Sequence, residues 1–187
     1  AGTMPGELHK IWDAPVGGYH MEYGFSCMGY EIAGAMGIKM ACPTADVICM
    51  VGDGSYMMAN SELATAVTMA IPFTVVLTDN RGYGCINRLQ KATGGAAFNN
   101  LLDDSHHVNP SAIDFVAHAA SLGAIAVKAG SIAELEVELA KAKAGILEIS
   151  DEKSFFHRHF LKFALVFLLI YPFLSLLIVG KQGSLKY

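Results

Sequence analysis

Apolar positions along the chain alternate between two rhythms. Four short runs of consecutive apolar or β-branched residues have the length of buried strands: DVICMV (46–51), FTVVLT (73–78), AIAVKA (124–129) and GILEIS (145–150). Between them the apolar residues recur three or four apart. Residues 24–41, GFSCMGYEIAGAMGIKMA, predict a tightly packed helix with a glycine-rich entry, stopped by Pro43. Residues 60–70 set Leu63, Ala66, Val67 and Ala70 on one helical face, ended by Pro72. Residues 113–123 form a third helical pattern that stops at Gly123. Residues 131–144 form a fourth, opened by the capping-box pair Ser131 and Glu134. The Gly-, Pro- and His-rich stretch 1–23 and the polar stretch 85–110 read as loops.

Strands alternating with helices predict βαβ units, hence an α/β fold with a parallel sheet covered by helices on both faces. Ligands of such sheets bind beyond the carboxyl ends of the strands. Two special turns, GDGS (52–55) and DNRGYG (79–84), lie at the ends of consecutive strands and are expected side by side.

With 187 residues the chain suits one domain with a real core. Its formal net charge is -4 and its basic residues form no stripe, which argues against a nucleic-acid partner. Cys27, Cys42, Cys49 and Cys85 show neither a CxxC pair nor a histidine at zinc spacing, so they read as reduced thiols of a cytoplasmic protein. The start, AGTMPGELHK, has no secretory pattern and reads as cut from something longer.

The stretch VGDGSY (51–56) sets a carboxylate between two glycines where anions usually bind. One reading is a dinucleotide turn, with Asp79 as the later acid. Bulky Met57 at the third glycine position opposes it, and so does the charge of Asp53 beside a pyrophosphate. The other reading supplies a cation. Mg²⁺ takes about six oxygens at ~2.1 Å, shared among carboxylate, phosphate and water. Asp53, the side-chain oxygen of Asn80 and the carbonyl of Gly82 would give three. Gly52 and Gly54 let the backbone approach, and the N–H groups of Gly54 and Ser55 would face the phosphate.

The pair GDGS and DN at this spacing resembles the metal–diphosphate signature of thiamine diphosphate enzymes. Asp79 stands where many members have a first Asn; the ligand position, Asn80, is kept. The segment YGFSCMGYEIAGAMG (23–37) resembles the stretch that holds the aminopyrimidine ring. The resemblance implies that backbone groups of Ser26 and Met28 bond the ring and that the Met28 side chain props the cofactor in a bent shape; a core-filling Met28 is the plain alternative. LHKIW (8–12), GGYHMEYGFSCMGYEIAG (17–34), GDGSYMMANSELATA (52–66), RGYGCINRLQ (81–90), FNNLL (98–102) and IDFVAHAASLGAIAVK (113–128) are similar to the trihydroxycyclohexane-1,2-dione hydrolases of inositol catabolism, over roughly 3–148. That family opens a cyclic dione by C–C cleavage with thiamine diphosphate and Mg²⁺ as cofactors. Its activating glutamate lies in a separate N-terminal domain; Glu22 and Glu31 sit in the wrong segment to replace it. The resemblance therefore implies a diphosphate-binding domain over 1–150 that is inactive alone and joins a homodimer or larger assembly. An acetolactate synthase-like carboligase shares the metal turn and stays an alternative.

His20, ahead of the ring-binding segment, could reach substrate, though an ordinary loop histidine explains it as well. His106 and His107 could touch substrate; adjacent residues rarely share one metal ion. Tyr83 and Cys85 line the pocket or pack the core, and Arg81 and Arg88 meet a polar substrate or solvent. Glu134, Glu136 and Glu138 read as a solvated helix face. After Ser150 the character changes. FALVFLLIYPFLSLLIVG (163–180) is eighteen residues without a charge, long enough for a helical membrane span. An apolar helical tail over 151–187 is expected, as a frame-shifted or truncated reading, a membrane anchor or a buried helix. The non-catalytic alternative for the whole chain is a membrane-tethered fragment.

Overall fold

In a computed structural model, residues 2–146 and 173–179 are described. The chain runs α1 (Thr3–Ile11), α2 (Tyr30–Ala41), β1 (Ile48–Gly52), α3 (Asp53–Met58), α4 (Glu62–Thr68), β2 (Phe73–Asp79), α5 (Gly84–Ala92), a 3-10 turn (Leu102–Asp104), α6 (Phe115–Ser121), β3 (Ile125–Ala129), α7 (Ile132–Ile146) and β4 (Phe173–Val179).

Strand β2 explains why the sheet is a central layer. Residues 73–78 are all buried, which requires cover on both faces. On one face Phe73, Val75 and Leu77 join Val47, Cys49 and Val51 beneath Ile32 and Ala35 of α2, Tyr56 of α3, Leu63 and Ala66 of α4, and Phe115 and Ala119 of α6. On the other face Val76 meets Met4 and Leu8 of α1 and Leu135, Leu139 and Ala142 of α7. The buried residues of α7 recur at four and three, so one stripe of that helix faces the sheet.

The α/β fold with helices on both faces is present, and β1 pairs parallel to β2 as the strand–helix alternation requires. The strand order is β1-β2-β4-β3. β4 runs antiparallel to both β2 and β3. β1, β2 and β3 therefore share one direction, and the sheet is mixed rather than purely parallel.

Several expectations need correction. Part of stretch 1–23 is helix α1: Pro5 stands in the first turn, where its missing N–H costs nothing, and Met4, Leu8 and Ile11 repeat at helical spacing. The helix expected over 24–41 begins only at Tyr30, because Gly29 takes φ 91°. Stretch 85–110 opens with helix α5. Gly145 and Ile146 end α7 instead of starting a strand; 147–150 lie outside the described residues. Within the apolar tail, 173–179 form strand β4, not helix. Residues 163–172 and 180 of that run also lie outside the described residues. Among the described residues, no helix is long and apolar enough to cross a membrane.

Candidate functional site

Gly52, the last residue of β1, pairs with Thr78 of β2. Asp53 and the pair Asp79–Asn80 therefore leave the sheet side by side. Asp53 opens α3 and is buried. Its Oδ2 accepts the Gly82 N–H at 2.8 Å. The Asn80 carboxamide oxygen faces Asp53 Oδ1 at 3.2 Å and the Gly82 carbonyl oxygen at 2.6 Å.

A carboxamide oxygen that close to two acceptors, with no proton between them, needs one of two remedies. The amide turns over and its NH₂ bonds both oxygens, or a cation sits among them. In an octahedron of ~2.1 Å bonds, neighbouring oxygens are about 3 Å apart, and the two observed separations bracket that value. One carboxylate, one carboxamide and one carbonyl make the all-oxygen donor set that a small hard cation takes. The residues present therefore fit magnesium.

The turn's shape has local causes. Asp79 Oδ1 accepts the Arg81 N–H at 2.8 Å, an Asx turn. That role needs only an oxygen acceptor, so Asp serves at 79 as Asn would. Arg81 and Gly82 follow with φ of 59° and 142°. Burial, and then the nearby Asp79 carboxylate, raise the pKa of Asp53 to about 6, while the Gly82 and Gly54 amides pull it down. A bound divalent cation would reverse that rise.

A strap that the sequence did not announce holds the other side of the turn. Gly82 bridges Leu101. The Tyr83 N–H donates to Asn100 O at 2.7 Å, and the Leu102 N–H donates to Arg81 O at 2.8 Å. The Arg81 and Asp103 side chains pair across it at 3.4 Å.

The segment ahead of α2 reaches the same place. The Glu22 carboxylate accepts the N–H groups of Phe25 at 2.9 Å and Cys27 at 2.6 Å. These bonds hold its pKa below the usual carboxylate range. Ser26 takes φ 52°, and its hydroxyl accepts the Gly2 N–H at 3.4 Å. The Met28 side chain is half-buried, and its Cε lies 3.4 Å from where a Cβ at position 54 would be. That same Cβ would come within 2.7 Å of the Tyr83 ring. Gly54 is thus the close approach between the two segments. The Ser55 hydroxyl is turned inward: it meets both oxygens of Glu31, at 2.9 and 2.8 Å, and accepts the Gly29 N–H at 2.8 Å.

The remaining candidates differ in exposure, and several are bonded locally. His20 is exposed and bonded to the Tyr30 hydroxyl at 2.6 Å. His106 and Arg88 are exposed, and His107 Nε2 bonds Leu102 O at 3.1 Å. Tyr83 covers Gly54 while 42% exposed. Cys85 is half-buried, Cys27 and Cys42 are exposed, and burial drives the Cys49 thiol far above its usual pKa. The solvated-face reading of α7 needs a correction: Glu134 is exposed and Glu138 pairs with Lys141 at 2.6 Å. Glu136, however, is half-buried, its Oε1 shielded from solvent without a hydrogen bond.

Residues 1–153 match the family model of the thiamine pyrophosphate enzyme C-terminal TPP binding domain. The chain belongs to this family. Among its relatives is 3D-(3,5/4)-trihydroxycyclohexane-1,2-dione hydrolase 2 of Bacillus cereus, 43% identical over 150 residues, covering 76% of this chain and 23% of the relative. The 3D-(3,5/4)-trihydroxycyclohexane-1,2-dione hydrolases of Halalkalibacterium halodurans and Bacillus subtilis are 42% and 41% identical, each over 76% of this chain and 22% of the relative. The chain thus spans less than a quarter of the length of these relatives.

Proposed function

We propose that these residues form the magnesium- and diphosphate-holding part of a thiamine diphosphate-dependent hydrolase that opens a cyclic trihydroxy-1,2-dione. The convergence of the Asp53 carboxylate, the Asn80 carboxamide and the Gly82 carbonyl at adjacent strand ends carries the reading. Identity of 41–43% to relatives named as dione hydrolases supports the substrate class.

When bound, thiamine diphosphate supplies a carbon nucleophile and an electron sink for cleaving a C–C bond beside a carbonyl. The chain's own part is binding and orientation. Asp53, Asn80 and Gly82 hold the cation, which cancels repulsion between Asp53 and a diphosphate. Gly52 has open space beside it for the phosphates, with the Ser55 amide nearby, whereas the space a side chain at 54 would take is filled by the Tyr83 ring and the Met28 side chain. Backbone groups of Ser26 and Met28 hold the ring, and the Met28 side chain supports it from beside Gly54. The activating glutamate belongs to an upstream domain in this reading, so residues 1–187 alone turn over no dione. Assembly as a homodimer or larger, in the cytoplasm, completes the proposal.

Titration of thiamine diphosphate with and without Mg²⁺ tests the site. Binding is expected to require Mg²⁺, and Asp53→Ala to weaken it about a hundredfold or more, since even outer-shell losses at metal sites cost ~10–100-fold. Unchanged magnesium-dependent affinity in Asp53→Ala would refute the site. In a protein completed with its upstream domain, turnover of the dione but not of pyruvate is expected; the reverse would favour a carboligase.

A further inference from the structure

The two segments that converge on Gly54 are tied by one buried side chain. Ser55 is 5% exposed. Its single hydroxyl proton goes to the Glu31 carboxylate, and its lone pair takes the Gly29 N–H. The Gly29 N–H also lies 3.1 Å from Glu31 Oε2. Gly29 immediately follows Met28, which with Ser26 is proposed above to hold the ring, and Ser55 lies two residues from Asp53. The tie is stiff at its Gly29 end. Gly29 has φ 91°, and a Cβ there would stand 2.9 Å from Ala59 Cβ, so that backbone is pressed onto the end of α3.

We propose that Ser55 and Glu31 form a clasp that fixes the spacing between the 26–28 loop and the Asp53–Asn80 turn, and so pre-organises the chain for a ligand held at both ends. This rests on the thiamine diphosphate reading above. A ligand with a ring at one end and a diphosphate at the other binds as two linked modules, and its affinity depends on how well the two subsites keep its span. Pre-organisation removes the ordering cost of the second contact. A ligand that touches only the turn gains nothing from the clasp. Ser55 and Glu31 are therefore positioning residues.

The test compares Mg²⁺–thiamine diphosphate with Mg²⁺–pyrophosphate on the full chain. Ser55→Ala is expected to weaken thiamine diphosphate about tenfold, or ~1.4 kcal/mol, and to leave pyrophosphate within about twofold. Glu31→Gln keeps an oxygen for the hydroxyl proton and is expected to stay within about threefold of wild type for both probes. Equal weakening of both probes in Ser55→Ala would overturn the clasp, because a residue that merely folds the turn has that signature. No weakening of either would overturn it too. If wild type binds neither probe, the thiamine diphosphate reading itself fails, which is a separable result. A measurement without substitution covers a Ser55→Ala that does not fold. Hydrogen exchange at the Gly29 amide of wild type is expected to slow when Mg²⁺–thiamine diphosphate binds and to change little with Mg²⁺–pyrophosphate, since coupling is reciprocal; exchange unchanged by thiamine diphosphate would refute the clasp.

Discussion

Gly82 carries two demands on one backbone unit. Its N–H holds Asp53 while its carbonyl turns toward Asn80, and this is reached at φ 142° with the strap against it. A Cβ there would stand 2.9 Å from Leu101 Cα and closer still to Asn100 O. Gly82→Ala is therefore expected to cost ~2 kcal/mol or more from backbone strain alone and to weaken magnesium-dependent binding; thermal melts and a metal titration read the two effects. Tyr56 makes a second residue-scale case. It is fully buried, packs edge-on to Phe115, and shares a 2.9 Å hydrogen bond with His118 Nδ1. Burial raises its pKa from 10.0 to about 12. The folded state thus keeps the phenol proton after the unfolded chain has lost it. Tyr56 contributes in full below pH 10, and its contribution is lost as pH rises toward 12. Melts at pH 9 and 11 should show a smaller alkaline drop in Tyr56→Phe, which also loses ~1 kcal/mol at neutral pH. The two turns that set Asp53, Asn80 and Gly82 side by side were legible because strand ends and turns are local signals. The Ser55–Glu31 and Tyr56–His118 contacts join residues 24 and 62 apart, and no local pattern announces them.

At the scale of elements, legibility followed how much of a segment faces the core. β2 and α7 were readable because burial writes their pattern. Helix α1 hides behind Pro5 and Gly6, although Met4, Leu8 and Ile11 carry the spacing that would have found it. Helix α5 was unreadable for the opposite reason. Its buried residue is Asn87, while Ile86 and Leu89 point outward at 51% and 57% exposure. An apolar pair three apart on the solvent side of a helix beside the site suits a partner surface. Nearby segments add Tyr23, Phe25 and Phe98, all exposed. If assembly uses this side, Ile86→Lys with Leu89→Glu should leave thermal stability within about 0.5 kcal/mol, as for other surface changes, and should reduce the mass seen by sedimentation or light scattering. An unchanged mass at all concentrations would exclude α5 from the interface.

The whole molecule turns on how the sheet is closed between β2 and β3. Strand–helix alternation predicted three strands of common direction, and β1, β2 and β3 have it. What alternation could not predict is that β4, from far along the chain, takes the place between β2 and β3 and runs the other way. The apolar run that supplies it has no period of two or of 3.6, and an apolar run reads equally as a membrane helix or as a strand buried on both faces. In this arrangement β4 is central, and its backbone groups serve two neighbours. Leu176 pairs with Val76 on one side and with Val127 on the other. Proline at a central strand position removes a ladder N–H and is tolerated essentially only at edges and bulges. Leu176→Pro should therefore lower stability by ~3 kcal/mol or more, a penalty of the size proline imposes on regular hydrogen-bonded structure. It should also speed hydrogen exchange across Phe73–Asp79 and Ile125–Ala129 together, because both strands lose the neighbour they share. A Leu176→Pro chain that melts like wild type would mean that β2 and β3 are joined by some other segment, and the site at the end of β2 would then rest on a different sheet.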